Sequence, residues 1–151
     1  MSASVEDIKA LREETGISMQ KCKEALEKTD GSIDAARELL KEESGKAAAK
    51  KADREFGAGA IFTYTHNTKT IASMIELLCE TDFVAKNELF EELGNSIALH
   101  VTAMASTEES IRSEGFIKDP ETTIETMLAQ ASQRLGERID IGRISRFSVL
   151  G

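Results

Sequence analysis

The chain has 151 residues, 40% of them hydrophobic and 30% charged, which is enough to bury an ordinary core and excludes a compositionally disordered protein. The formal charge of -8 argues against direct nucleic-acid binding, because an acidic surface repels phosphate backbones. A single proline favours helices over a turn-rich all-β fold.

The cysteines, the histidines and the amino terminus exclude several further classes. Cys22 and Cys79 lie far apart without CxxC spacing, and there are only two histidines, so neither a disulfide framework nor a metal site is expected. Residues 1–7 lack the basic and apolar regions of a signal peptide, and no apolar run is long enough to span a bilayer. No GxxxxGK loop is present to hold a nucleotide. We therefore expect a cytoplasmic protein without cofactor or membrane contact.

Residues 1–44 have the spacing of three short helices. Ser4, Ser18 and Ser32 each precede a helical pattern and are typical N-cap residues. Gly16 is a suitable end for the first helix, since glycine readily adopts the left-handed conformation found there. Helices this short are marginal alone, so they must pack on one another. The pattern predicts a compact helical module that resembles the ubiquitin-associated fold.

The character of the chain changes twice after this module. Residues 45–56 are rich in alanine, lysine and glutamate, which predicts a solvated helical linker. Ala60, Phe62 and Tyr64 then alternate with small or polar residues, as in a strand. Residues 71–78 are apolar at nearly every position, which predicts a second strand that is covered on both faces. A polar turn would join the two strands in a hairpin.

The rest of the chain predicts two helices and a last strand. Residues 87–104 carry an apolar stripe that ends at Met104, whereas residues 107–118 are weakly patterned and predicted to be irregular. Asp119-Pro120-Glu121 predicts the start of the second helix. Residues 139–150 predict a strand with a bulge near Gly142, because Ile144 is out of phase. The predicted fold class is α+β: a three-helix module (1–44), a linker (45–56), and a small antiparallel sheet covered by helices (57–151).

Three stretches together resemble one protein family. They are LREETGISMQKCKEAL at residues 11–26, ETDFVAKN at residues 80–87, and GERIDIGRISRF at residues 136–147. In this order they are similar to the two signatures and the last strand of elongation factor Ts, a translation elongation factor. The resemblance covers most of the chain, and the second stretch is its most specific part.

The resemblance implies a function and a partner. Members of the family bind elongation factor Tu carrying GDP, speed GDP release and leave when GTP binds, so no enzymatic chemistry is expected. In the family, an aspartate and a phenylalanine, Asp82 and Phe83 here, insert beside the partner's magnesium and phosphate site. The resemblance assigns partner contact to Thr81, Asp82, Phe83, Val84, Lys86 and Asn87, and in the helical module to Arg12, Ile17, Met19 and Gln20.

The chain departs from the family pattern in three ways. Gln20 replaces the second of two methionines, and Gly142 precedes Arg143 where the family has an arginine pair. A stretch that longer members carry before the final helix is missing, which removes much of the second half of their core. Contacts with the partner's distal domains are therefore not expected to match those of longer members. A homodimer would compensate for the shortened core, which can expose apolar surface.

Other interpretations remain open at this point. From spacing alone, Asp82 and Phe83 would be a helix cap and a core aromatic. Cys79, Asp82 and His100 could be taken for a cysteine-nucleophile site, although a buried structural cysteine is the favoured interpretation of Cys79. The main alternative to an exchange factor is a protein-binding module that docks on a partner without exchange activity.

Overall fold

A capping side chain begins each α-helix in the computed structural model, which describes residues 3–151. The six α-helices of these residues are α1 (Val5–Thr15), α2 (Met19–Lys28), α3 (Ile33–Ala49), α4 (Asp82–Ala85), α5 (Glu88–Met104) and α6 (Ile124–Leu135). The strands are β1 (Ala58–Thr65), β2 (Ile71–Cys79), β3 (Gly115–Phe116), β4 (Asp119–Thr123) and β5 (Asp140–Ser148). The fold class is α+β, as the sequence predicts.

The first three helices form the predicted module. The hydroxyl oxygens of Ser4, Ser18 and Ser32 accept the N–H groups of the residues three positions on, at 3.1, 3.3 and 3.3 Å. Gly16 ends α1 with φ at 69°, in the left-handed region. These local bonds confirm the predicted caps. The module's own apolar core consists of Ile8, Leu11, Ile17, Cys22, Ala25, Leu26, Ala36 and Leu40.

The helical module packs on the rest of the chain mainly through α3 and α6. The Ser44 side chain is fully buried in α3 and its hydroxyl donates a hydrogen bond to Gln133 in α6. Gly16 lies against the guanidinium group of Arg134, so a side chain at position 16 would collide with it. The division of the chain at residues 44 and 56 stays a prediction.

A bulge shapes the three-stranded antiparallel sheet, whose order is β1-β2-β5. Ile75 pairs with Ile144 but Leu77 pairs with Ile141, so two residues of β5 lie opposite Glu76. The bulge predicted near Gly142 is thereby confirmed. It reverses the facing of all later residues in β5, because side chains alternate along a strand.

Helices cover only one face of this sheet. Its inner face contributes Phe62, Ile75 and Leu77 to a core shared with Phe90 and Ile97 of α5. On the outer face, Ile61, Met74 and Phe147 are 62%, 47% and 77% exposed. The prediction that β2 is covered on both faces was therefore wrong.

The apolar stripe of α5 is shorter than predicted, because it does not extend to Met104, whose side chain is 48% exposed. No helix within residues 3–151 is both long and apolar enough to cross a bilayer.

The segment before α6 differs from its prediction. The stretch predicted to be irregular contains a turn of 3₁₀ helix at Ile111–Ser113, with Ile111 fully buried, and it then enters a β3–β4 hairpin. The predicted helix start at Asp119-Pro120-Glu121 was wrong, because these residues form β4. The helix begins at Ile124, where the hydroxyl oxygen of Thr123 accepts the N–H of Thr126 at 3.1 Å. Pro120 is tolerated because a two-stranded hairpin has free edges.

Candidate functional site

A short helix after β2 presents an aromatic side chain to solvent. Phe83 in α4 is 90% exposed, and the carboxylate of Asp82 beside it is exposed as well. Val84 is only 8% exposed and packs into the core of the sheet. The short helix thus combines one buried anchor with an exposed apolar ring and an exposed charge. The interpretation of Phe83 as a core aromatic is excluded by its exposure.

Local caps hold this turn between β2 and α5. Thr81 is the N-cap of α4, and its hydroxyl oxygen accepts the Val84 N–H at 3.5 Å. Asn87 is the N-cap of α5, and its side-chain oxygen accepts the Leu89 N–H at 2.8 Å. Lys86 ends α4 and is exposed. Of the six predicted signature residues, five are therefore exposed and only Val84 is buried, while Thr81 and Asn87 also cap the helices that follow them.

The loop between α6 and β5 binds the backbone just before this turn. The Glu137 carboxylate accepts the N–H groups of Glu80 and Thr81, both at 3.0 Å, and the Thr81 hydroxyl at 2.6 Å. Because Glu137 lies more than fifty positions from Thr81, no sequence pattern predicts this contact. The only available signal is that an acidic residue follows the glycine that ends α6.

A second set of contacts joins the same loop to the segment before β1. The Glu80 carboxylate accepts the Arg138 N–H at 2.5 Å and pairs with Arg54 at 3.4 Å. The hydrogen bond from the Arg138 N–H, and to a lesser extent the contact with Arg54, lowers the pKa of the Glu80 carboxyl from its ordinary value. The Arg138 guanidinium lies 4.2 Å from the centre of the Phe56 ring. The segment before β1, the turn and the α6–β5 loop therefore meet at one place.

The predicted contact residues of the helical module lie at the corner between α1 and α2. Arg12, Met19 and Gln20 are exposed, and the Gln20 amide donates to Glu24 at 3.0 Å. Ile17 is only 4% exposed and belongs to the core of the module. Gly16 at this corner lies against Arg134 of α6. The helix that contacts the corner is therefore also the helix that leads into Glu137.

Comparisons with known proteins relate the sequence of this chain to one family. A family model described as elongation factor TS matches residues 80–151, from the exposed turn to the end of the chain. Elongation factor Ts of Leptospira biflexa is 38% identical in an alignment that covers all of both chains. The chain belongs to the elongation factor Ts family.

Other family members differ in length. Elongation factor Ts of Thermosipho melanesiensis is 35% identical over 94% of this chain and 96% of its own length. The chain matches that of Aquifex aeolicus at 38% identity over 97% of its own residues but only 53% of the relative. The Leptospira alignment extends over 197 positions, more than the 151 residues of this chain. This member of the elongation factor Ts family therefore lacks residues that its relatives carry.

The structure also places the residues of the cysteine-nucleophile interpretation. The Cys79 side chain is fully buried and its thiol donates to the Thr81 carbonyl oxygen at 3.3 Å. Burial raises the pKa of the Cys79 thiol, with a smaller contribution from Glu137, which disfavours the reactive thiolate. His100 is engaged elsewhere: Nε2 lies 2.8 Å from a Glu114 carboxylate oxygen, and Nδ1 accepts the Ile117 N–H at 3.1 Å. Within residues 3–151, no group of three or more His, Cys, Asp and Glu side chains forms a metal-binding cluster.

Proposed function

We propose that this chain is a guanine-nucleotide exchange factor that binds elongation factor Tu carrying GDP and promotes GDP release in the cytoplasm. The observation that carries the proposal is the side chain of Phe83, 90% exposed beside the Asp82 carboxylate on a turn that Val84 anchors in the core. This is the turn on which the family signature lies. A folded protein gains nothing by itself from exposing a phenylalanine at a fixed position, whereas a partner pocket can bury it.

The two exposed side chains supply different effects. The Phe83 ring can act as an apolar wedge between elements of the partner. The Asp82 carboxylate can disturb the shell of a bound magnesium ion, because magnesium requires near-ideal octahedral geometry. A factor that binds the nucleotide-free partner more tightly than the GDP-bound partner must weaken GDP binding by the same factor. Exchange by this route requires no bond to be made or broken.

The helical module supplies a second contact in this proposal. Arg12, Met19 and Gln20 offer a cation, an apolar side chain and an amide on one exposed corner. Ile17 would act indirectly, since its buried side chain fixes the corner from within. The module would hold the partner while the turn that carries Phe83 opens the nucleotide site.

The test is the release of a fluorescent GDP analogue from purified elongation factor Tu. We expect substoichiometric amounts of this protein to accelerate release, and the double variant Asp82→Ala/Phe83→Ala to lose most of the acceleration while remaining folded. A matched control is Met104→Ala/Glu109→Ala, which removes an exposed apolar side chain and an exposed carboxylate elsewhere. Binding without acceleration by the unchanged protein would instead support a docking module without exchange activity.

The outer face of the sheet supports a further proposal, that two copies associate. Ile61, Met74 and Phe147 are exposed on neighbouring strands. Ile61 and Met74 line a depression with a volume of about 320 Å³, together with Ile144 and Ser145. A second copy could cover this face by the same residues, since most homodimers have two-fold symmetry. Sedimentation analysis tests this assembly.

A further inference from the structure

The orientation of the Phe83 and Asp82 side chains depends on the backbone that precedes them. Neither side chain makes a hydrogen bond or an ion pair within residues 3–151, and both project into solvent. The helix that carries them has only four residues, Asp82–Ala85, too few to be stable alone. Whatever fixes the preceding residues, Glu80 and Thr81, therefore also fixes the direction of the exposed pair.

Glu137 is the side chain that fixes those two residues. One carboxylate oxygen accepts both backbone N–H groups at 3.0 Å, and the other accepts the Thr81 hydroxyl at 2.6 Å. Hydrogen bonds to an ionised acceptor are stronger than those between neutral groups. All of the hydrogen bonds to this carboxylate within residues 3–151 come from Glu80 and Thr81, so the carboxylate acts on the turn directly.

The bond to the Thr81 hydroxyl also orders the cap of α4. Thr81 Oγ1 has one proton to donate and lone pairs to accept with. It donates the proton to Glu137 and accepts the Val84 N–H at 3.5 Å. With its proton held by Glu137, the hydroxyl keeps a lone pair directed at the first turn of the helix.

Glu137 is itself held in place. Gly136 ends α6 in the left-handed conformation, with φ at 75°. The Ser132 hydroxyl donates to the Glu137 carbonyl oxygen at 2.7 Å. The next residue, Arg138, donates its N–H to the Glu80 carboxylate at 2.5 Å. Hydrogen bonds therefore hold the chain on both sides of Glu137. The loop that carries Glu137 follows α6, the helix that Gly16 of the helical module also contacts.

We infer that Glu137 is a positioning residue for nucleotide exchange: its carboxylate sets the direction in which Phe83 and Asp82 meet the partner. The inference rests on the proposed exchange function. It predicts a specific kinetic effect, because a mobile turn would still allow the helical module to dock but would lower the rate at which the docked complex releases GDP. A residue that only stabilised the fold would not lower the release rate while leaving docking unchanged.

The experiment measures GDP release from elongation factor Tu over a range of factor concentrations. For Glu137→Ala we expect the maximal rate to fall about tenfold, equivalent to about 1.4 kcal/mol, while the concentration for half-maximal rate changes less than about threefold, within the uncertainty of such differences. Glu137→Gln keeps an oxygen for the two backbone N–H groups and should retain most of the rate. Glu109→Ala removes an exposed carboxylate away from the turn and is the matched control.

A double-mutant cycle shows whether Glu137 acts through the exposed pair. In the background Asp82→Ala/Phe83→Ala, the change Glu137→Ala should cost almost no further rate, because residues that act as one unit are non-additive. Additive losses would overturn the inference. Should Glu137→Ala not fold, Thr81→Val removes the hydroxyl that Glu137 holds and should lower the maximal rate in the same way; an unchanged rate would overturn the inference.

The outcomes separate this inference from the proposed function. If the unchanged protein does not accelerate GDP release, the proposed function fails and the role of Glu137 fails with it. If the unchanged protein accelerates release and Asp82→Ala/Phe83→Ala does not, but a folded Glu137→Ala matches the unchanged protein, only the positioning role is overturned.

Discussion

At the bulge in β5, one carboxylate binds three donors of a single arginine. The Glu76 carboxylate accepts the Arg143 backbone N–H at 2.8 Å and two guanidinium N–H groups at 2.8 and 2.9 Å. The bulge exposes this N–H because Arg143 is one of the two residues opposite Glu76. The Arg143 hydrogen bonds lower the pKa of the Glu76 carboxyl to about 2, from an ordinary value of 4.5.

The Glu76 contact should make stability depend on pH in a defined window. The pKa is lower in the folded state, so the folded protein binds fewer protons, and the contribution to stability is full above pH 4.5 and lost as pH falls towards 2. We expect Glu76→Gln to lower the melting temperature slightly at pH 7, since an exposed ion pair contributes little. The difference from the unchanged protein should disappear near pH 2. A difference that stays constant from pH 7 to pH 2 would contradict this assignment.

Among the elements, the β3–β4 hairpin depends on a fully buried histidine of α5. His100 Nδ1 accepts the Ile117 N–H, so Nε2 carries the proton and donates to Glu114 at 2.8 Å. The Glu114 carboxylate also accepts the hydroxyls of Ser106 at 2.5 Å and Ser110 at 2.6 Å. These bonds hold the segment between α5 and α6 in place.

Replacing this histidine should therefore loosen the hairpin. His100→Leu leaves the Ile117 N–H without its acceptor and removes a donor from Glu114, and we expect it to lower the free energy of unfolding by about 2–4 kcal/mol. Urea denaturation measures the loss. The exposed histidine offers a control, because His66→Leu should cost less than about 0.5 kcal/mol. Equal effects of the two changes would show that the buried network contributes nothing.

The elements that sequence patterns predict are those fixed by neighbours along the chain. Ser4, Ser18 and Ser32 bind backbone groups three residues away, so their caps follow from local sequence. The bulge near Gly142 is also local, since a break in alternation reveals it. The β3–β4 hairpin was missed although its pairing is local, because β3 has only two residues and shows no alternation. The contact of Ile117 with His100, 17 positions away, outweighs the helix-start signal at Asp119-Pro120.

The candidate site divides in the same way. The signature at Thr81, Asp82 and Phe83 is visible in the sequence because its residues are contiguous. Its exposure does not follow from spacing alone, since the same spacing is typical of a cap and a core aromatic. Glu137 could not be found from the sequence, because its contact with Thr81 is created only when the end of α6 reaches β2.

For the molecule as a whole, the uncovered face of the sheet determines how copies could assemble. The bulge turns Phe147 outward, to 77% exposure, and places it beside β2, where Met74 is 47% exposed. Glu76 lies on the central strand of this face, opposite Ile61, and its charge is already paired with that of Arg143. The charges among the exposed apolar side chains are therefore already compensated, and a buried charge that is paired costs far less than an unpaired one.

We expect the proposed homodimer to dissociate when charge is placed at the centre of this face. Met74→Glu/Phe147→Glu would bring like charges together across a two-fold axis and bury them without partners, which costs several kcal/mol. Sedimentation equilibrium should show a dimer for the unchanged protein and a monomer for the variant. Val5→Glu, at a residue that is 62% exposed in α1, should leave the mass unchanged. Because each copy carries its own Asp82 and Phe83, a folded monomeric variant should still accelerate GDP release; loss of acceleration together with dimerisation would mean that the second copy contributes to the contact with elongation factor Tu.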